Sequence, residues 1–381
     1  MFDFEPTEEQ KALIDTARRF TRERIIPIAA ECDREAKFPK HVFEEAHKIG
    51  LVNPTLPAEY GGPGLTDVEA TLITEELAYG CSGIQTSMMA NTLGLTPIKL
   101  AGSDEQKQKY LGWLAREPIM VAYATSEPSM GSDVAGMQCR ATKDGAGGYV
   151  LNGTKQWITN ASLASLYVVF ATEDPTLKHK GIGAFLVERS QNGLRPGRHE
   201  DKLGQRASDT APVVLEDVRV PATQVLAPPG QGFKLAMETF NQTRPDIGAS
   251  AVGIMRRCLD ECVAYARERK TFGTPIAQHQ LVQVMLAEMK IRIEAASLLV
   301  RKAAWNLDRG LRDPAISSCA KAYGADGAMQ SAIDAVQVFG GYGYVKDYPV
   351  EKLMRDAKLL QIFEGTAQVQ RLVIARNVIG K

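Results

Sequence analysis

Apolar residues recur at helical period through the first third of this chain, give way to short strand-like runs in the middle, and return to helical period for the remainder. Few architectures satisfy that order, because each stretch must bury its own apolar face against a partner of matching geometry. It predicts an α+β multidomain protein: an N-terminal helical domain over residues 1–118, a central β domain over 119–232 and a C-terminal helical bundle over 233–381. Thr7 and Gln10 stand at capping-box spacing, and Leu13, Ile14, Ala17 and Phe20 follow at helical period. Further helices are expected over 39–49, 67–79, 82–100 and 104–116. Strands are expected over 166–171, 183–188 and 212–220, and Asn152-Gly153 between two apolar runs predicts a hairpin with a type I′ turn. The last third predicts helices over 233–241, 247–269, 278–307, 314–338, 349–360 and 366–379.

With 381 residues, the length suits two or three domains. The chain carries 45 Lys and Arg against 45 Asp and Glu, so no net charge favours nucleic acid or an anionic membrane as partner. Cys32, Cys81, Cys139, Cys258, Cys262 and Cys319 form neither a CxxC pair nor a metal-ligand cluster, and the histidines form no HExxH, so no metal is expected. Scattered thiols fit a reducing compartment, the N-terminal Met1-Phe2-Asp3-Phe4-Glu5 lacks the pattern of a signal peptide, and no apolar run reaches membrane-spanning length. A cytoplasmic protein is the expectation.

Several stretches could carry chemistry. Glu364 ends the apolar run Leu359-Leu360-Gln361-Ile362-Phe363 and is followed by Gly365 and the start of the last helix. Burial there would raise its pKa into the range of a general base working near neutrality, with Gly365 admitting a ligand close to the backbone. The same acid would also complement the dipole of the next helix, with Thr366 as N-cap, and this stretch leaves both readings open. The loop from Ser126 to Asp133 offers hydroxyls and free N–H groups to a pyrophosphate or a flavin edge, or is a surface loop. Trp157 and Thr159, two apart, could cover and hydrogen-bond a planar ring, or be core and strand end. The basic run Arg267 to Lys270 complements a helix C-terminus and could pair with phosphates at a subunit boundary. Phe339-Gly340-Gly341-Tyr342-Gly343-Tyr344 follows no expected strand and reads as a helix-terminating turn that could also admit a ligand.

Taken together, the 123–133 loop, Trp157-Ile158-Thr159-Asn160, the 203–210 and 216–221 segments, Phe240-Asn241-Gln242-Thr243-Arg244-Pro245, Arg269-Lys270-Thr271-Phe272-Gly273, Gln337-Val338-Phe339-Gly340-Gly341 and Ile362-Phe363-Glu364-Gly365-Thr366 resemble the acyl-CoA dehydrogenase family over essentially the whole chain. The medium-chain members are the nearest likeness. The resemblance implies the three-domain fold above, with a β-barrel-like middle and a C-terminal four-helix bundle, assembled as a homotetramer. It further implies one FAD per subunit, an acyl-CoA substrate and electron delivery to an electron transfer flavoprotein. Carried over by position, Glu364 is the base that removes the α proton while flavin N5 accepts the β hydride, giving a trans-2-enoyl-CoA. Its backbone N–H would help to hold the thioester oxygen, and Arg244 would orient it. Tyr123, Thr125, Ser126, Ser132, Trp157, Thr159, Thr366 and Gln368 match FAD-contacting positions. Arg269, Phe272, Gln337 and Gly341 match contacts to the FAD of a neighbouring subunit. Ser132, Asn241, Arg244, Gly365 and Met89 match positions that meet substrate. Phe363, Asn241, Met89 and the Ser129-Met130 pair depart from common family residues, and Met88, Met89 and Met130 could reshape the acyl pocket. A short- to medium-chain acyl-CoA is the expected substrate, with branched, aromatic, alicyclic or dicarboxylic acyl groups, or a non-catalytic binding role, as alternatives.

Overall fold

The computed structural model describes residues 5–380. The first helices are α1 (Glu8–Phe20), α2 (Ile26–Glu35) and α3 (Lys40–Lys48), and Thr7 and Gln10 form the expected capping box at the head of α1. A long element, α4 (Asp67–Ala101), covers both helices expected over 67–100; Cys81, at φ −162° and ψ 108°, breaks it where the sequence pattern also breaks. Short α5 (Asp104–Gln106) and α6 (Gly112–Arg116) flank a wide turn.

The sheet comprises β1 (Met120–Ala124), β2 (Arg140–Lys143), β3 (Tyr149–Thr159), β4 (Ala164–Thr172), β5 (Ile182–Glu188), β6 (Leu194–Pro196), β7 (Thr210–Val220) and β8 (Val225–Ala227), in the order β6-β7-β3-β2-β4-β5-β8, with β1 parallel to β4. Strands β4 and β5 are covered on both faces. Leu166, Val168 and Phe170 of β4 join one apolar cluster with Tyr123, Leu111 and Leu235, while Tyr167, Val169 and Ala171 join another with Phe185 and Leu215. Burial on both faces explains the continuous apolar run of this strand.

The expected hairpin at Asn152-Gly153 is not formed, because β3 runs straight through these residues. Asn152 reaches across instead: its Nδ2 donates to Asp217 Oδ1 at 3.0 Å and its Oδ1 accepts from the Asp217 N–H at 2.9 Å, where the β3–β7 register shifts. Gly153 lies against β2's neighbour Cys139, and a Cβ would come within 2.9 Å of the Cys139 Cα. The pair marks a bulge beneath a close strand, the other use of glycine in a sheet.

The C-terminal part contains α7 (Gly232–Glu268), the small ribbon β9 (Lys270–Thr271) and β10 (Thr274–Pro275), α8 (Gln280–Asp308), α9 (Pro314–Phe339), α10 (Val350–Leu360) and α11 (Ala367–Ile379). Two helices expected over 233–241 and 247–269 form the single α7, with Pro245 inside it. Every residue of 243–255 is buried, so packing against α4 and α9 holds the helix through the proline. Met89 of α4 joins the apolar cluster of this bundle with Ile247, which ties the first and last parts of the chain together. Among the described residues, no helix is long and apolar enough to cross a membrane, and no cluster of His, Cys, Asp or Glu could hold a metal ion.

Candidate active site

Glu364 stands in the turn between α10 and α11, which Thr366 caps by accepting from the Val369 N–H at 3.2 Å. Glu364 has φ +51° and Gly365 φ +86°, so a non-glycine residue is held in a left-handed conformation that favours Gly. Two side chains hold it there. Lys321 Nζ of α9 donates to the Gly365 carbonyl at 2.7 Å, and Gln370 Nε2 donates to the Gly365 carbonyl at 2.9 Å and the Glu364 carbonyl at 3.2 Å. The Glu364 main-chain N–H makes no hydrogen bond among the described residues.

Glu364 is half-buried as a residue, but its carboxyl points inward. Oε2 accepts from Thr243 Oγ1 of α7 at 2.8 Å, whereas Oε1 is buried without a partner. Burial raises the carboxyl pKa to about 7, against the Thr243 hydrogen bond and the charges of Arg244 and Lys321, which favour the ionised form. Lys321 is fully buried and pushed down to about 8, chiefly by that burial. Arg244 Nη1 donates to Asn241 Oδ1 at 2.8 Å and to Ser318 Oγ at 3.4 Å, and its Nε is buried and unpartnered. The fold therefore gathers Glu364, Thr243, Arg244, Lys321 and Asn241 from two helices and one turn.

A second group lies on the sheet. Tyr123 packs against Phe240 and Phe170, with ring centroids 5.5 and 5.0 Å away, and its hydroxyl and that of Thr125 are buried next to one another with no further hydrogen-bond partner. Burial pushes the Tyr123 phenol far up against an opposing hydrogen bond with Thr125, and the Glu364 charge adds a smaller rise, so the two lie within electrostatic reach. The Thr125–Ser126 backbone is anchored from below by a buried ion pair. Lys155 Nζ lies 2.7 Å from Glu127 Oε1 and donates to the Thr125 carbonyl at 3.2 Å, while Glu127 also accepts from the N–H groups of Gln138 and Cys139 at 2.7 and 3.0 Å. Ser126 is half-buried and Ser132 exposed. Trp157 presents 61% of its surface at φ +61°, with Thr159 beside it on β3.

A third group is separate within the single chain. Arg269 and Gly341 line an open cavity of 530 Å³ with Tyr265, Thr271, Phe339 and Tyr342, and the Arg269 guanidinium lies 5.5 Å from the Tyr342 ring. Phe272 projects from the β9–β10 turn with 98% of its surface exposed, and Gln337 is exposed on α9. None of the residues around Glu364 lines this cavity. Gln368 is exposed on α11, one residue beyond Ala367.

Three family descriptions match the chain: acyl-CoA dehydrogenase N-terminal domain at residues 7–118, middle domain at 122–218 and C-terminal domain at 230–379. The chain belongs to the acyl-CoA dehydrogenase family. A probable medium-chain specific acyl-CoA dehydrogenase 2, mitochondrial, of Caenorhabditis briggsae is 44% identical over 384 residues, covering 99% of this chain and 92% of that protein. The structure of butyryl-CoA dehydrogenase from Megasphaera elsdenii is similar at a TM-score of 0.97 and 37% identity, covering 99% of this chain and 100% of that one. A glutaryl-CoA dehydrogenase from Mycobacterium smegmatis in complex with FADH2 is similar at a TM-score of 0.93 and 30% identity, covering 99% and 96%. This acyl-CoA dehydrogenase is an FAD-dependent oxidoreductase acting on an acyl-CoA.

The residues present fit the flavin. Buried hydroxyls at Tyr123 and Thr125 with no partner beyond one another, and an uncovered indole, are unfavourable in an isolated chain and are what a planar, hydrogen-bonding cofactor would satisfy. Sequence reasoning did not single out Lys321, Gln370, Glu127 or Lys155. Lys321 left a trace, a cation in the small-residue run Ser317-Ser318-Cys319-Ala320-Lys321-Ala322 of a helix expected to be core. The Glu127–Lys155 pair left none, because its members are far apart in sequence and meet only across the sheet.

Proposed function

We propose that Glu364 is the catalytic base of an acyl-CoA α,β-dehydrogenation, removing the α proton of a short- to medium-chain thioester to leave a trans-2-enoyl-CoA. The observation that carries this reading is a buried carboxyl, pushed to about 7 and with one oxygen unengaged, held in a strained turn by Lys321 and Gln370. A base with that pKa is substantially ionised at neutral pH yet basic enough to take a proton in the transition state. The free Glu364 N–H is the chain's own donor to the charge that develops on the thioester oxygen as the α proton leaves. Arg244 acts on the ionised form through its charge, and Thr243 fixes the carboxylate rotamer through Oε2. Bound FAD supplies the acceptor for the β hydride.

For holding FAD we assign Tyr123, Thr125, Ser126, Ser132, Trp157, Thr159, Thr366 and Gln368 to one subunit and Arg269, Phe272, Gln337 and Gly341 to its neighbour. The separation of the second set from Glu364 within one chain, and the exposure of Phe272, Tyr344, Leu281 and Val378, support a homotetramer in which the cofactor lies across a subunit boundary. Met89, Asn241, Arg244, Gly365 and Ser132 are assigned to substrate, and an electron transfer flavoprotein to reoxidation. Residues 1–118, 119–232 and 233–381 are our domain limits, and six free thiols support a reducing compartment such as the cytoplasm.

The test is the visible spectrum of the purified protein under anaerobic conditions, titrated with a panel of acyl-CoAs. Bleaching of the flavin by four- to eight-carbon straight chains is expected. Bleaching only by branched, cyclic or dicarboxylic thioesters would replace the substrate assignment, and protein that takes up no FAD would remove the reading altogether.

A further inference from the structure

One buried acid has no part in the reaction as derived so far. Asp246 is 8% exposed and lies in the fully buried run of α7, four residues before Ser250. Ser250 Oγ donates to the main-chain carbonyl of Asp246 at 2.9 Å, but the Asp246 carboxyl itself makes no hydrogen bond and no ion pair among the described residues. A carboxyl buried without a partner opposes folding, and natural sequences keep such features where function requires them.

Its place on the helix connects it to the base. Thr243 points at Glu364, and Asp246, three residues on, lies on the same face about 4.5 Å farther along the axis. Ser250 continues that face, and its Oγ lies 2.9 Å from the Gln85 side-chain amide of α4. Residues 240–242 are half-buried and residues 243–255 are buried, so on the proposed reading of the Glu364 site the bulky, charged CoA would stay at the 240–242 end and the acyl chain would run along Thr243 towards Ser250. An acyl chain on that path would pass Asp246 beyond the carbon that Glu364 deprotonates, and Glu364 is near enough to act on Asp246 through its charge.

The charges that act on Asp246 narrow what it could bind. Burial, then Asp67 and Glu364, favour its neutral form, and Lys99 alone opposes them; Lys99 is in turn shared with Asp67 and Asp308. A second anion brought here by a dicarboxylic acyl group would face Asp67 and Glu364, with Lys99 as the opposing charge. A neutral carboxyl donates one hydrogen bond and accepts others, which suits an uncharged polar group.

We propose that Asp246 is a specificity-determining residue that hydrogen-bonds an uncharged polar substituent, a hydroxyl or carbonyl oxygen, carried by the acyl chain beyond its β carbon. This rests on the acyl-CoA dehydrogenation reading of the Glu364 site. The test compares hexanoyl-CoA with its 4- and 5-hydroxy derivatives on the FAD-loaded protein, by anaerobic flavin reduction and by equilibrium binding of the corresponding enoyl-CoAs. Asp246→Val and Asp246→Asn are carried through the same assays and through thermal unfolding. The wild type should favour one hydroxy derivative on the order of tenfold in both assays. Asp246→Asn should keep part of that preference. Asp246→Val should reverse it and unfold at a higher temperature, whereas loss of a purely structural residue would lower that temperature. An identical hydroxy-to-plain ratio in wild type and Asp246→Val overturns the proposal. If no thioester bleaches the flavin, the dehydrogenation reading falls; the enoyl-CoA binding ratio then decides Asp246 by itself, tenfold sustaining the assignment and unity removing it.

Discussion

Replacing Glu364 with glutamine should do two opposite things. The amide retains an oxygen to accept the Thr243 bond and fills the same volume, so FAD and acyl-CoA binding should persist, while turnover falls by several orders of magnitude for want of a base. Stability should move the other way. The carboxyl titrates at about 7 in the fold against 4.5 for the unperturbed group, and a tenfold change in proton affinity is worth about 1.36 kcal/mol, so the ionised carboxylate opposes folding by about 3 kcal/mol. The sign follows from proton binding. Between 4.5 and 7 the folded protein holds a proton that the unfolded chain has lost, so stability falls as pH rises through that window and reaches its full deficit above 7. Glutamine does not titrate. Denaturant unfolding of the FAD-loaded proteins, at fixed protein and FAD concentrations, should therefore show Glu364→Gln more stable than wild type by up to about 3 kcal/mol at pH 8, with the gap closing by pH 4.5. Equal stability at pH 8 would refute the desolvated carboxylate, and retained turnover would remove Glu364 from the base role.

Lys321→Met removes a cation that favours the ionised base and a donor that holds its turn, so the acid limb of the kcat/KM profile should move up by on the order of one pH unit, with activity recovering towards pH 9. A limb in its original place would show that Lys321 does not act on the base. Arg269→Ala should weaken FAD retention about tenfold through the loss of one charge-assisted contact, measured by equilibrium dialysis, and unchanged retention would move the subunit boundary elsewhere. Glu127→Ala leaves Lys155 buried with no counter-charge and should cost about 3–5 kcal/mol in unfolding free energy; a loss below about 1 kcal/mol would mean that water reaches the ammonium.

The legible parts of the fold were those in which local pattern and tertiary burial agree. The capping box at Thr7, the break in α4 near Cys81 and the long bundle helices follow from period and from side chains a few residues apart. Asn152-Gly153 misled because a bulge and a turn ask for the same residues, and only the pairing of β3 with β7 distinguishes them. Pro245 misled because its local cost is outweighed by the burial of the residues around it.

For the site, the chain order placed Glu364 at a junction and the family resemblance supplied an expected base. Neither could fix the titration of that base. A pKa depends on what surrounds the carboxyl, and here that means Thr243, Arg244 and Lys321, which lie 121, 120 and 43 positions away along the chain. The order of residues settled which groups the protein owns, the periods that make its helices and strands, and the family to which those patterns belong. It took the packed fold to bring Lys321 and Gln370 to one acid in a left-handed turn, to let Lys155 and Glu127 neutralise each other beneath the Thr125–Ser126 backbone, and to bury Asp246 with no hydrogen bond to its carboxyl. Desolvation and charge act through space and not along the chain, so these properties exist only once distant segments have packed.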